Sequence, residues 1–433
     1  MKSGSTALNE VSPENKKDFF PALLFFLAVI GQNIGVFYLM KRWISLSEVS
    51  MLLFIIVYLV KNPSFEKRHL GIYLLFNTFN FLNILTADSK TEALIATASL
   101  MFYSTFTLFF VTYIIHEDYY NEIISSFLLA CYVLAIYGII QFIVIRVVGF
   151  YSEYIVYPFG SATVQIQPGL ATPLAARLWR SNSLYYEPSI YGMTLVLGLS
   201  INEVAKMGKK IFKGITVLGI LVSFSATAYI MLVTVYLLTK VFGNSIALTL
   251  KNLIIIVIII TTILLVIPYA IDLSESLPYP FNRITEVFHR GTSGYYRLVT
   301  PVHVTGYVLA NKPLGIGVGN IDSYLNSPPQ DIKQYLEKGV DSYGKTIDSV
   351  PFVILINYGY VGFIVLALLF SIVFKSMKGW FPFFVSFMIY LFGTGNYSSA
   401  NFWIVFLLLL NANIMMKQVK DLEDELSKIT DTY

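Results

Sequence analysis

Long apolar runs recur along this 433-residue chain and constrain its fold more than any other feature. About 20 apolar residues allow a helix to cross the roughly 30 Å hydrocarbon core of a bilayer. Only 13% of the residues are charged, against about 25% in soluble domains. The sequence therefore predicts an all-α polytopic membrane protein. The runs lie near residues 18–40, 45–60, 69–86, 92–115, 122–148, 187–206, 211–239, 250–269, 349–374, 379–395 and 400–416.

Composition excludes several other classes of protein. The first 18 residues have no apolar h-region or small-residue cleavage site, so we expect that no signal peptide is removed. The single cysteine, Cys131, excludes disulfides within the chain and a cysteine-rich metal site. The absence of a repeat, a low-complexity tract or a soluble terminal domain predicts one integral membrane domain over 1–433. The net charge of +4 is modest and gives no indication of nucleic-acid binding.

The run at 211–239 is long for a single crossing, since its residues would make a helix of about 43 Å. Its middle carries the small and hydroxyl residues SFSATA (223–228), which could bend one helix or separate two short ones. With two crossings the chain has about 12 spans, and most basic residues near span ends share one side with both termini. That side is cytoplasmic by the positive-inside rule, although Lys41 and Arg42 are exceptions.

This topology places two long hydrophilic segments together on the outer face. Outer loop 1 is 149–186 and outer loop 2 is 270–348. Long loops in a compact protein are usually functional, so we expect the site to lie there.

Outer loop 1 ends in ARLWRSNSLYYEPSIYG (176–192), where Arg177 and Arg180 would share a helix face. Glu187–Pro188 resembles a helix start, because proline suits the first turn and a carboxylate meets the positive end of the helix dipole. A purely structural interpretation is also open, with the glutamate as a helix-terminal residue and the arginines anchored at the membrane interface.

Outer loop 2 carries Arg290 and Arg297, with His289 and His303 nearby. Two histidines without a spaced carboxylate or cysteine are a weak metal signal, and we predict no metal site. The sequence GIGVGN (315–320) lacks the Lys-Ser/Thr of a phosphate loop, so a tight turn is expected. SPPQDIKQYLEKG (327–339) predicts a short surface helix, and Asp348 opens the next apolar run.

These residue types suit an anionic, lipid-linked substrate. Guanidinium groups bind phosphate oxygens in a bidentate manner, and aromatic rings suit sugar faces and the membrane interface. A pyrophosphate leaving group departs readily once its charge is neutralised, so the reaction needs a base for the incoming hydroxyl. Glu187 and Asp348 are the two carboxylates at the mouths of predicted helices.

The order of these motifs resembles the Wzy-type polymerases of O-antigen, capsule and exopolysaccharide repeat units, which are related to the O-antigen ligases. The resemblance covers about residues 130–375. Asp348 stands 11 residues before Gly359, where the ligases commonly carry histidine. This difference and the Glu-Pro-Ser motif favour a polymerase. The motifs are Arg180, Tyr186, Glu187, Pro188, Ser189 and Gly192, then YGIIQF (137–142), SFSATA, NKPLGIGVGN (311–320) and DSVPFVILINYGYVG (348–362).

The resemblance implies a membrane glycosyltransferase with a fold similar to the GT-C type, acting without a cofactor or metal. Its substrates would be undecaprenyl-pyrophosphate-linked oligosaccharides, both donor and acceptor, at the outer face of the cytoplasmic (inner) membrane. A flippase and a chain-length regulator are the implied partner proteins. The implied roles are pyrophosphate binding by Arg177, Arg180, Arg290 and Arg297, catalysis by Glu187 or Asp348, and further substrate contacts by Tyr186, His303 and Asn320.

Three alternatives remain at the level of sequence. A ligase would perform the same chemistry on a different acceptor. A transporter or flippase of lipid-linked sugars would need a matching pair of interrupted segments and polar residues at mid-depth. The sequence shows no such pair in two related halves and few charges near mid-membrane. A purely structural membrane partner would leave the clustering of arginines unexplained.

Overall fold

The computed structural model describes residues 19–39, 42–61, 64–117, 120–149, 181–185, 187–205, 210–242, 293–336, 347, 349–376, 380–393, 397 and 399–410. This part of the chain is mostly helical and includes a two-stranded sheet. The all-α class is therefore confirmed in its main feature, and the small sheet is an addition to it.

The first apolar run does not form a single helix. Helix α1 (Phe20–Ile30) ends after 11 residues, or about 17 Å. Strands β1 (Gly35–Leu39) and β2 (Arg42–Ser45) follow and pair antiparallel. The helix stops at Gly31, where a Cβ would lie only 2.6 Å from a carbonyl oxygen of the last turn. The prediction of one apolar span over 18–40 is wrong, because the aromatic and β-branched residues after this turn pair as strands.

The next four helices match four predicted apolar runs within a few residues. One of them, α3 (Lys67–Thr86), carries an asparagine every third residue at 77, 80 and 83, and all three are buried. Its leucines at 74, 75, 82 and 85 are instead 54–72% exposed. Polar groups inside and leucines outside are the pattern of a helix surrounded by lipid and packed on other helices. These helices are α2 (Leu46–Val60), α3 (Lys67–Thr86), α4 (Lys90–Glu117) and α5 (Tyr120–Arg146).

Helix α6 (Pro188–Ala205) is buried along most of its length, and it packs against α5 and three later helices. Two of these three are α7 (Lys210–Val222) and α8 (Ala226–Phe242). The run predicted at 211–239 therefore forms two helices, and the break falls in the SFSATA sequence at residues 223–225.

The remaining described elements include one helix broken at glycine. The predicted run 349–374 is interrupted by a 3-10 turn at Gly359–Val361. The short helix predicted in 327–339 is present. The elements are α9 (Ser293–Asn311), α10 (Ile321–Asn326), α11 (Gln330–Leu336), α12 (Val350–Tyr358), α13 (Gly362–Ser376), α14 (Phe381–Gly393) and α15 (Ala400–Leu410).

Three helical segments within the described residues are long and apolar enough to cross a membrane: Lys90–Ile114, Tyr120–Arg146 and Val350–Ser371. Several shorter apolar helices accompany them. The run at 250–269 lies outside the described residues. The count of about 12 spans and the similarity to the GT-C type stay predictions.

Candidate functional site

The described part of the RSNSLYYEPS motif is a buried turn held by one glutamine of α5. The side-chain oxygen of Gln141 accepts hydrogen bonds from the Ser181 hydroxyl at 2.7 Å and from the backbone N–H groups of Asn182 and Ser183, both at 3.0 Å. Gln141 is only 1% exposed. Because a buried donor without a partner is costly, this shared acceptor helps to fix the position of the turn.

The geometry of this turn leads directly into α6. Ser183 adopts a positive φ of 53°, and its hydroxyl donates to the backbone oxygen of Leu134 at 2.7 Å. The side-chain amide of Asn182 donates to the backbone oxygen of Tyr185 at 2.5 Å. Two residues later the chain reaches Glu187, which is half-buried, and its backbone oxygen accepts the Tyr191 N–H at 3.2 Å. Glu187 therefore precedes the first residue of the buried helix α6, as predicted from the Glu–Pro pair.

The break between α7 and α8 packs against the same turn. The Ser181 N–H donates to the Val222 oxygen at 2.9 Å, at the end of α7. A Cβ on Gly192 would lie 2.6 Å from Cβ of Ala228 and 2.9 Å from the Ser223 hydroxyl. A glycine is needed here for the close approach of α6 and the SFSATA turn. Three motifs noted in the sequence, YGIIQF, RSNSLYYEPS and SFSATA, therefore meet in one polar layer.

The GIGVGN segment forms a second buried turn structure, as the sequence predicts. Its three glycines have φ values of 80°, 89° and 82°. The N–H groups of Ile316 and Gly317 donate to the oxygens of Ile356 and Asn357 at 3.0 and 3.1 Å. These are the last carbonyls of α12, which the turn at Gly359 leaves without helical partners. The segment thus completes the end of a broken helix.

Asparagine side chains fasten this second segment to its neighbours. The Asn83 side chain of α3 donates to the backbone oxygen of Asn357 at 3.2 Å, and it accepts the Val318 N–H at 2.8 Å. The Asn320 oxygen accepts the Ser89 N–H at 2.8 Å. Asn320 is 1% exposed, so its described bonds are internal to the protein. Its predicted contact with substrate stays a prediction.

Hydrogen bonds connect the two turn structures through the region around residue 400. The Asn33 amide donates to the Leu184 oxygen at 3.5 Å, and the neighbouring Gln32 donates to Asn401 at 3.0 Å. Four residues before Asn401, the Tyr397 hydroxyl accepts the Asn357 amide at 2.9 Å. The turn before Glu187 and the GIGVGN segment therefore lie at the same end of the helix bundle.

The other predicted site residues are only partly within the described region. Arg297 lies in α9, and its side chain is outside the described part. His303, on the same helix, is exposed and stacks on Tyr335 with ring centroids 3.8 Å apart. The remaining candidates, Arg177, Arg180, Tyr186, Arg290 and Asp348, lie outside the described residues, as does His289.

The residues that organise these segments were not singled out from the sequence. Gln141 lies inside the YGIIQF motif, and a glutamine in an apolar helix is a signal that could have identified it. Asn83 belongs to an asparagine series with a spacing of three, which marks one helix face. Asn357 gave no comparable signal, because its role depends on a helix break and on a segment about 40 residues earlier in the chain.

A bundle of apolar helices with polar side chains inside it and buried polar turns at one end is characteristic of a multi-pass membrane protein. The profile of the WcaD colanic acid polymerase family matches residues 22–417. Because this match covers most of the chain, the protein belongs to the WcaD colanic acid polymerase family. The resemblance to repeat-unit polymerases is thus confirmed, over more of the chain than the 130–375 noted from motifs.

A curated relative is similar over a shorter part of the chain. It is a protein of Escherichia coli (strain K12) described as "Putative colanic acid polymerase", and it is 24% identical over 182 residues. The matched part is 42% of this chain and 42% of the relative. The match therefore spans less than half the length of that curated relative.

Proposed function

We propose that this protein is a polymerase that joins oligosaccharide repeat units, carried on undecaprenyl pyrophosphate, into an extracellular polysaccharide. Membership of a colanic acid polymerase family supports this proposal. Polymerisation takes place at the outer face of the cytoplasmic membrane. Both termini are cytoplasmic, and segments 149–186 and 270–348 are the outer loops. A flippase supplies the lipid-linked units, and a chain-length regulator acts on the product.

The observation that carries the proposal is that the two turn structures lie at one end of the bundle. Glu187 follows the first turn, and the helix that bears Arg297 leads into the second. A lipid-linked substrate keeps its pyrophosphate at the membrane interface and its sugars in water. A site at the ends of helices, with residues contributed by two outer loops, would hold the pyrophosphate at the interface and leave the sugars in water.

The reaction needs one proton transfer and one displacement. An acceptor sugar hydroxyl attacks the anomeric carbon of the donor, forming a C–O bond while the bond to the pyrophosphate oxygen breaks. A carboxylate, Glu187 or Asp348, takes the hydroxyl proton. The arginines at 177, 180, 290 and 297 bind the departing pyrophosphate, with both electrons of the broken bond on its oxygen.

The test is polymerisation by the purified full-length protein supplied with lipid-linked repeat units. Arg180→Lys and Arg297→Lys keep the charge and lose the planar fork that binds two phosphate oxygens. We expect each to lower the rate roughly 10- to 100-fold, the equivalent of one charge-assisted hydrogen bond. Arg68→Lys, at the exposed start of α3, is the matched control and should be active.

Two results would contradict the proposal. If both lysine variants polymerise at the wild-type rate, the arginines are interface anchors and not pyrophosphate ligands. If the wild-type protein transfers a single glycan to another lipid and builds no ladder of repeat units, the enzyme is a ligase.

A further inference from the structure

A cleft lined by tyrosine rings and polar side chains lies beside the GIGVGN segment, where the α3–α4 connection approaches the end of α9. Its volume is about 450 Å³, within the ordinary range of about 300–1,000 Å³ for small-ligand sites. The cleft is partly open to the surroundings of the protein. Its described lining residues are Asp88, Ser89, Tyr307, Asn311, Lys312, Asn320, Ser323, Tyr324, Ser327 and Pro329.

The charges of this cleft are already compensated. The Lys312 ammonium contacts both carboxylate oxygens of Asp88, at 2.7 and 2.6 Å, and lies 5.5 Å from the ring centroid of Tyr324. Among the described lining residues, Lys312 is the only cation. Glu92 lies close by and accepts hydrogen bonds from the Ser323 hydroxyl at 2.7 and 2.8 Å. The cleft is therefore poorly suited to a pyrophosphate, which would need unpaired positive charge.

The uncharged groups of the cleft suit a ligand rich in hydroxyls. Asn311 is exposed, and its side-chain nitrogen donates to the backbone oxygen of Tyr307 at 2.9 Å. The side-chain oxygen of Asn311 is thus left as an acceptor for a ligand. The Tyr324 hydroxyl is enclosed and has no hydrogen-bond partner among the described residues. Burial, with the nearby Tyr307 and Asp88, raises the pKa of Tyr324 to about 12, so this hydroxyl keeps its proton at neutral pH. Two tyrosine rings beside amide and hydroxyl groups offer apolar faces and hydrogen bonds together.

We propose that this cleft is a saccharide subsite, which binds sugar residues of the lipid-linked oligosaccharide or of the growing chain at a distance from the reacting bond. The identity of the ligand rests on the proposed function. Arg297 and Asn311 are separated by about 21 Å along α9. A substrate that binds by its pyrophosphate near the start of α9 therefore has to extend over about this distance to place its sugars in the cleft.

The subsite is tested by binding to the full-length protein in lipid nanodiscs. The probe is the repeat-unit oligosaccharide released by hydrolysis from the polysaccharide that the source cell makes, without its lipid or pyrophosphate. We expect Tyr307→Ala and Asn311→Ala each to weaken binding about tenfold, as for one lost ring contact or hydrogen bond. Tyr324→Phe removes only the hydroxyl group and keeps the ring, so we expect a smaller loss of binding from this third variant. Tyr236→Ala, at an exposed tyrosine of α8, is the matched control and should bind as wild type does.

The outcomes separate this proposal from the proposed function. If the oligosaccharide does not bind, or binds equally to all variants, the cleft is not a saccharide subsite, whether or not the protein polymerises. If inorganic pyrophosphate displaces the oligosaccharide and its own binding is lost in Asn311→Ala, the cleft binds phosphate instead. If the oligosaccharide binds as expected and the purified protein makes no polymer, the subsite stands and the proposed function is wrong.

Discussion

The side-chain oxygen of Gln141 accepts the hydroxyl of Ser181 at 2.7 Å, joining two residues that are 40 positions apart in the chain. Two backbone N–H groups of the same turn share this acceptor. The bonds hold residues 181–183 against α5, shortly before Glu187. Hydrogen bonds to a buried glutamine of α5 thus help to position the turn that precedes Glu187, the candidate catalytic residue at the start of α6.

Gln141→Leu should therefore affect both stability and activity. Leucine has a similar volume and removes the acceptor shared by three buried donors, of which the Ser183 N–H keeps only a long bond of 3.4 Å to the Ser181 hydroxyl. The cost is about 1–3 kcal/mol for each group left unpaired where water cannot reach it. We expect a lower midpoint of thermal unfolding for the purified protein and a large loss of polymerisation. Ile140→Ala, at a residue 49% exposed on the same turn of α5, is the control and should have little effect. Equal stability of the two variants would show that the turn does not depend on this glutamine.

Asn83 and Asn77 lie on one face of α3 and make a matched pair for a second experiment. Asn77 bonds to Ser104 of α4 at 3.1 Å, whereas Asn83 accepts the N–H of Val318 in the GIGVGN segment. Leucine at either position should lower the unfolding midpoint, because it removes buried hydrogen bonds. Asn83→Leu should lower it more, since the Val318 N–H loses its acceptor, whereas the Ser104 hydroxyl keeps the Met101 oxygen at 3.1 Å in Asn77→Leu. Only Asn83→Leu should also increase chymotrypsin cleavage after Leu314, an exposed residue that directly precedes Gly315 of the segment. Equal cleavage of the two variants would contradict this assignment.

The glycines of the GIGVGN segment give a test that depends on backbone conformation. Gly317 has a φ of 89°, and an added Cβ would collide with Ala87. Gly317→Ala should destabilise the protein by more than about 1 kcal/mol, since both strain and overlap oppose the side chain. Gly306→Ala is the opposite case, because the glycine is in a helix with open space around its Cβ position. It should be neutral or stabilise by up to about 1 kcal/mol. Similar unfolding midpoints for the two variants would contradict this account.

The apolar runs correctly predicted helices that are not interrupted by a turn. Helices α2 to α6 and α14 agree with their predicted runs because about 20 apolar residues, or somewhat fewer, leave few other ways to satisfy the backbone in lipid. The pattern failed at 18–40, where a turn at Gly31 and a β-hairpin replace the second half of the run. Hydropathy does not distinguish an apolar strand from an apolar helix turn. It also does not register that a Cβ at residue 31 would meet both the Leu27 oxygen and the Leu46 side chain.

The site was predictable in its motifs and not in its connections. The Glu–Pro start of α6 and the turn at 315–320 followed from capping and glycine chemistry. The partners of those turns, Gln141, Asn83 and Asn357, come from elements far away in sequence. Such pairings depend on which helices pack together, and no local propensity encodes them.

Orientation in the membrane can be tested with single cysteines. Gln330 of α11 belongs to predicted outer loop 2, and Lys210 at the start of α7 belongs to a predicted cytoplasmic segment; both are exposed. In a Cys131→Ser background, a membrane-impermeant thiol reagent added to intact cells should label Gln330→Cys and leave Lys210→Cys unlabelled. Detergent permeabilisation should then expose the second position, which verifies that it can react. The reverse pattern would place the candidate site on the cytoplasmic side and exclude the proposed mechanism.

Amide substitutions distinguish the roles of the two candidate carboxylates, Glu187 and Asp348. Glu187 precedes Pro188 at the start of α6, where the positive end of the helix dipole favours a charged carboxylate. A base needs that charge, and glutamine cannot accept a proton from a sugar hydroxyl. We expect Glu187→Gln to lower turnover of lipid-linked repeat units by about 10²- to 10⁴-fold while the substrate still binds, and to be more sensitive than Asp348→Asn.

Glu203 provides the control on the same helix. It lies near the other end of α6 and pairs with Lys213 at 2.6 Å, so Glu203→Gln changes the same functional group away from the candidate site. Turnover by this variant should stay close to wild type. If Glu187→Gln loses binding and turnover together, the carboxylate orients the substrate, through Arg180 for example, and Asp348 becomes the candidate base. If both amides turn over at the wild-type rate, neither carboxylate transfers a proton, and the glycosyl-transfer mechanism would rest on the arginines alone.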